Sequence, residues 1–374
     1  MMNNLDTLTK DAIHLLKEMI AIPSFSKEEE AVASCIESFL HNNGIKTHRL
    51  LNNIYAFSEA FDVSLPTIIL NSHHDTVQPA KGYDTDPFTP TIIDDKLIGL
   101  GSNDAGGALV SLIATFIYFQ KDQSLPFNFC LIASAEEEIS GKNGVELLLN
   151  NDAFKQQLRE STILGAIVGE PTKMEMAVAE RGLLVIDAVA HGIAGHAARE
   201  EGINAIDIAI NDIKFINEMV FEKVSPLTGK ATAKVTVIET ENKAHNVVPA
   251  SCRFVIDVRV NENYSFEEIL QQIQSSVKSE LTPRSFRLRS TMIDMQHPIV
   301  KAGKQLGWAH YGSPTTSDKA LMPFPALKIG PGDSARSHTA NEYILLNEIS
   351  LGIKGYIDLL KGTAEQIKQP KGQI

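Results

Sequence analysis

Hydrophobic and polar positions alternate differently along this chain, and each pattern predicts a different kind of element. Residues 7–20 carry the pattern of an amphipathic helix; a second helix is expected over 28–42, after a loop through Pro23 and Ser24 and ending at Asn43-Gly44. Short apolar runs predict strands near 47–51, 54–58, 67–71, 127–134 and 162–168, with a hairpin region at 80–96 containing Pro87, Pro90 and Asp94-Asp95. Residues 97–119 switch period in the middle. The short apolar run to Gly101 reads as a strand and the long continuous run after Asp104 as a buried helix, with Asp104 held at the turn, where it would cap the helix or project from a strand's carboxyl end. A further helix is expected near 144–150.

From about Gly182 the order becomes strand (182–191), helix (204–219), two strands (231–239, 251–260), helix (266–281) and strand (285–291). This βαββαβ succession predicts a small two-layer, ferredoxin-like domain. After about Met292 the mixed helix and strand pattern of residues 1–180 resumes, closing with a helix over 346–361 and a polar, loose tail after Gly362. The expected organisation is α/β: a discontinuous domain of residues 1–180 and 292–374 with a mixed central sheet, interrupted by an inserted domain at 181–291.

Composition narrows the class. The 374 residues are 43% hydrophobic and 21% charged, with a formal net charge of −12, ordinary for a globular enzyme and unsuited to nucleic acid or anionic membrane as partner. Cys35, Cys130 and Cys252 are scattered, which fits a reducing compartment and offers no thiolate metal site. No basic leader pattern opens the sequence and no apolar run approaches the ~20 residues of a membrane span, so a cytoplasmic location is expected.

The chemistry sits where apolar strands end in acids. In Ser72-His73-His74-Asp75, alternate residues share a face, so Asp75 can hold one ring nitrogen of His73 while the other is offered to a metal; His74 points away. Glu136-Glu137-Glu138 follows the 127–134 strand, Glu170 follows the next one, and Ser337-His338 supplies a late histidine. Alone, each is a turn or a solvated acid; repeated at the same end of successive strands, they converge on one crevice. Gly99-x-Gly101-x-x-Asp104 has an acid where a dinucleotide loop needs its third glycine, which argues against a pyrophosphate site. Histidines and carboxylates without cysteine suit Zn²⁺, Mn²⁺ or Co²⁺ used catalytically.

His73-x-Asp75, Gly101-x-x-Asp104-x-Gly106-Gly107, Glu137-Glu138, Gly169-Glu170-Pro171 and His338-x-x-Asn341-Glu342 together resemble the five successive motifs of the M20 metallopeptidases, in order and over essentially the whole chain. The resemblance implies a zinc-peptidase-like catalytic domain with an inserted lid or dimerisation domain, two divalent metal ions (Zn²⁺, with Co²⁺ or Mn²⁺ as alternatives) and a homodimer. It also implies roles: His73, Asp104 and Glu170 around one metal; Asp104, Glu138 and His338 around the other; Asp75 orienting His73; and Glu137 as general base. The family often has Asp before its Glu pair, where Glu136 stands here, so a register shifted to Glu136-Glu137 stays open. The segment around Gly195-His196 is similar to the one whose histidine reaches the reacting carbonyl. Asn246, Arg259 and the Gly330-Pro331-Gly332 turn, through Gly332, match positions that hold the substrate's carboxylate.

The function expected is amide hydrolysis of a small N-acylated amino acid, first N-acetylornithine (an acetylornithine deacetylase). Succinyl-diaminopimelate desuccinylase and an M20 dipeptidase or carboxypeptidase are the alternatives within the family. A non-catalytic metal-dependent binding protein is the alternative from another class. A serine hydrolase built on Ser334 or Ser337 lacks a nucleophile elbow.

Overall fold

The protein is described from a computed structural model covering residues 5–59, 61–158, 161–199 and 201–368. It divides into two compact units: Met1–Val178 with Ile293–Tyr311 and Ser317–Ile374, and Ala179–Met292 with Gly312–Thr316.

The first unit is built on a mixed sheet. Strands His48–Leu50, Asn53–Phe57, Asn128–Ser134, Thr67–His73, Ile163–Val168 and Ala326–Lys328 lie side by side in that order. The last four run parallel to one another, and His48–Leu50 with Asn53–Phe57, and Asn53–Phe57 with Asn128–Ser134, pair antiparallel. Every residue of Thr67–His73 and Asn128–Ser134 is buried, as expected of parallel strands covered on both faces. Helix Gly107–Phe119 is buried almost all round, between helices Leu5–Ile20 and Leu346–Lys368 and the strand Thr67–His73. That position explains why its sequence is apolar on every side.

The second unit has the predicted βαββαβ order. Strands Gly182–His191, Thr232–Glu239, Ser251–Val260 and Glu280–Pro283 form an antiparallel sheet, with Ser251–Val260 and Gly182–His191 at its centre. Burial alternates along both central strands. Leu184, Ile186, Phe254 and Ile256 meet Ala209 and Ile216 of helix Ala205–Glu218 and Ile269 and Ile273 of helix Phe266–Gln274.

Several boundaries differ from expectation. Helix Phe266–Gln274 stops seven residues short of 281, because Ser275 and Ser276 turn their hydroxyls onto the Gln272 carbonyl. The fourth strand is Glu280–Pro283, not 285–291. The strand expected over 97–101, after the 80–96 hairpin region, is Lys96–Ile98; it forms a hairpin with Thr91–Ile93 and a small sheet with Tyr343–Leu345, outside the main one. The final helix continues to Lys368, through residues expected to be loose; residues 369–374 lie outside the described set. Strand Met176–Glu180 and helix Asp152–Leu158 have no counterpart in the sequence pattern.

Candidate metal centre

Three neighbouring parallel strands, Asn128–Ser134, Thr67–His73 and Ile163–Val168, end side by side. Their carboxyl ends deliver Glu137 and Glu138, His73 and Asp75, and Glu170. Asp104 arrives differently: it lies in the irregular stretch Ser102–Gly106, and helix Gly107–Phe119 receives no cap from it. Glu342 fixes this stretch, accepting the amides of Gly101 (3.2 Å), Asn103 (2.9 Å) and Asp104 (2.9 Å). His338 follows the short turn Ser334–Arg336, with φ +59°.

These side chains converge. His73 Nε2 lies 3.4 Å from Asp104 Oδ1, 3.8 Å from Glu170 Oε1 and 3.9 Å from Glu137 Oε2. His338 Nε2 lies 3.5 Å from Asp104 Oδ2 and 3.1 Å from Glu138 Oε2. Two triads result, His73–Asp104–Glu170 and Asp104–Glu138–His338, with the ligand atoms of each within 4.8 Å of one another. Asp104 belongs to both, and it turns one carboxylate oxygen toward each imidazole.

Asp75 does more than face His73. The ring Nδ1 is 3.0 Å from the Asp75 carbonyl oxygen and 3.4 Å from its carboxylate. That carboxylate also accepts from Ser26 Oγ (2.7 Å) and from the amides of Glu137 (3.0 Å) and Glu138 (3.1 Å). Glu136 turns the other way, with φ +54°, and its carboxylate takes the Nδ2 (2.9 Å) and amide (3.3 Å) of Asn143. His74 is buried, bonded through Nε2 to the Asn52 carbonyl at 2.9 Å.

The electrostatics call for cations. Burial raises the Glu137 carboxyl well above its ordinary pKa, and the charges of Glu170, Asp318 and Glu138 raise it further against the opposing effect of His73. Burial alone would lower His73, yet the Glu137 charge and the bonds to Asp104 and Asp75 hold it well above its usual value. His338 is raised to about 9, first by its hydrogen bond to Glu138. Four carboxylates gathered on two imidazoles leave acceptors in excess, and hard oxygens with imidazole nitrogens are the donor set of Zn²⁺, Mn²⁺ or Co²⁺.

Of three surrounding acids, Asp318 and Glu29 carry no positional signal in the sequence. Asp318 is buried, takes a 2.6 Å bond from Ser134 Oγ and is pushed up to about 6 by burial. Glu342, part of the last motif, is raised to about 7 by burial and by the charge of Asp104. Glu29, also wholly buried, precedes helix Glu30–Asn42. Neither Asp318 nor Glu29 follows an apolar strand or lies in a motif, so only the folded contacts bring these two out.

The remaining predicted residues are described within their own units. In the second, His196 pairs with Val247 across the short ladder Gly195–His196/Val247–Val248, and the Asn246 carbonyl accepts the Ala197 amide at 3.1 Å. Arg259 forks onto Asp257, with Nε–Oδ1 of 2.8 Å and Nη2–Oδ2 of 3.0 Å. In the first, Gly332 has φ +92°, and a Cβ there would lie 2.5 Å from Asn103 Oδ1, so the turn requires glycine.

Parallel strand ends carrying paired carboxylate–imidazole triads define the scaffold of a metal-dependent hydrolase. A model of peptidase family M20/M25/M40 matches residues 69–362, and the chain belongs to that family. It is 25% identical over 290 residues to a succinyl-diaminopimelate desuccinylase of Zymomonas mobilis, covering 72% of this chain and 73% of the relative. It is 25% identical over 368 residues to a [LysW]-lysine/[LysW]-ornithine hydrolase of Saccharolobus solfataricus, covering 96% and 97%. The solved aminopeptidase PepT of Bacillus cereus superposes with a TM-score of 0.75 at 18% identity, over 95% of this chain and 99% of that one, a likeness of fold. Among the described residues no helix is long and apolar enough to cross a membrane.

Proposed function

We propose that this hydrolase removes the acyl group from an N-acylated diamino acid, with N-acetylornithine as the first candidate substrate. The observation that carries the amidohydrolase assignment is Asp104 facing His73 with one oxygen and His338 with the other, with Glu137 alongside. His73, Asp104 and Glu170 would hold one divalent cation, and Asp104, Glu138 and His338 the second. Two such ions supply Lewis-acid polarisation of the acyl oxygen and lower the pKa of water. Glu137 accepts the proton of the attacking water and returns it to the leaving amine. Asp75 orients His73 and fixes the backbone of Glu137. On the motif resemblance, His196 donates to the developing oxyanion, and Asn246, Arg259 and the Gly332 amide receive the substrate's carboxylate. The inserted domain would serve as lid and homodimer contact.

The relatives support a diamino acid: one is named for lysine and ornithine conjugates and another for succinyl-diaminopimelate. The repeated desuccinylase name among relatives 22–26% identical favours N-succinyl-diaminopimelate as a second reading. N-acetyl and N-succinyl forms of ornithine and diaminopimelate, with a dipeptide control, assayed after chelation and readdition of Zn²⁺ or Co²⁺, separate them. The expected result is the highest kcat/KM for N-acetylornithine, with kcat falling by about 10²–10⁴ in Glu137→Gln while bound metal is retained. Preference for the succinylated compound selects the second reading. Metal binding without hydrolysis of any compound would mean a binding protein.

A further inference from the structure

The loop carrying Glu137 and Glu138 is held in an unusual way. Four consecutive amides each donate to a side-chain oxygen from another part of the chain. Ala135 N reaches Asn53 Oδ1 (3.1 Å), Glu136 N reaches Glu29 Oε1 (3.2 Å), and Glu137 N and Glu138 N reach the two oxygens of Asp75 (3.0 and 3.1 Å). The loop borders a cleft of about 480 Å³ lined in part by Glu29, Asn52, Ala135, Glu136 and Asn143.

Of these acceptors Asn53 and Glu29 have no role so far, and Glu29 is the one that holds the amide next to Glu137. Its side chain is wholly buried, and a buried carboxylate is costly unless each oxygen is bonded. Here Oε1 also accepts the Lys27 amide (2.7 Å) and Oε2 the Asn52 Nδ2 (2.9 Å). Asn52 is itself fixed, its Oδ1 taking Arg49 Nη2 at 3.2 Å and its carbonyl contacting His74 Nε2 at 2.9 Å. A local staple for the helix start needs only the Lys27 contact. The bond to Glu136 instead spans 107 residues and ends on the amide directly before Glu137.

We infer that Glu29 is a positioning residue for the general base: by anchoring the Glu136 amide, it sets the backbone from which Glu137 reaches the attacking water. This rests on Glu137 being the base. The step is worth having because a base displaced by about 1 Å loses on the order of a hundredfold in rate.

The test uses the full-length, metal-loaded enzyme. Glu29→Ala removes the acceptor of the Glu136 amide. Glu29→Gln combined with Asn52→Asp keeps that acceptor, gives the new amide an oxygen in place of Asn52 Nδ2, keeps a partner for Arg49 and conserves net charge. The expected result is a kcat lowered by about tenfold in Glu29→Ala, with KM and bound metal within about twofold of wild type, and a kcat within about threefold of wild type in the double variant. A Glu29→Ala kcat within about twofold of wild type overturns the inference, and so does an equal loss in the double variant. If the wild-type enzyme hydrolyses none of the amides offered, the assignment of Glu137 fails separately. Hydrogen exchange then decides the anchoring: amides 135–138 faster by about tenfold in Glu29→Ala, with the 128–134 strand unchanged, support it, and no change overturns it.

Discussion

Asp104 and His338 show how single residues take their properties from neighbours. The His338 pKa stands at about 9 against an ordinary 6.5, first because Glu138 bonds its ring. A raised folded-state pKa means the protonated imidazole stabilises the cation-free fold fully below pH 6.5, and that this is lost as pH rises through about 9. The thermal midpoint of chelator-stripped protein should therefore fall more steeply across that window than that of His338→Ala; parallel curves would contradict the pairing. Saturating zinc should reverse the trend, because only the neutral ring can ligate. At this scale the sequence was informative wherever ligand chemistry demands a particular residue type. It was ambiguous at Glu136-Glu137-Glu138, where three identical acids differ only in backbone direction. The φ of +54° at Glu136, which turns that acid onto Asn143, has no signature in the side chains.

Among elements, the long buried strands and the apolar helix were legible because burial on all sides leaves no polar face to confuse the period. Gly182–His191 and Ser251–Val260 end where alternation ends. Harder to see was the route of Asp104 into the site, since the apolar run Leu97-Ile98-Gly99-Leu100 reads as a central strand, yet Lys96–Ile98 pairs with Thr91–Ile93 and Tyr343–Leu345. Pairing with a partner near the other end of the chain is not encoded in a local period. Helix Gly107–Phe119 backs the site: Leu112, fully buried, would lie 2.8 Å from a Cβ added at Gly169, one residue before Glu170. Leu112→Ala should cost about 2–5 kcal/mol of stability, read from denaturant midpoints; a loss below about 1 kcal/mol would mean that this face is not close-packed.

For the molecule as a whole, acids and imidazoles spread from His73 to His338 gather in one unit although an entire second unit intervenes in the chain. The order of the motifs survives that interruption because the parallel strands on either side form one sheet, Ala326–Lys328 pairing with Ile163–Val168. The scaffold and the convergence of these acids and imidazoles were therefore readable from sequence, whereas the acyl group is selected by shape and by a few polar contacts that leave no regular spacing. What the account depends on most is that Asp104 joins two cations. Anomalous scattering from crystals of the chelated protein soaked in zinc tests this directly. Two peaks about 3.5–4 Å apart, one on each side of the Asp104 carboxylate, are predicted; a single peak, or two peaks that Asp104 does not touch, would contradict it.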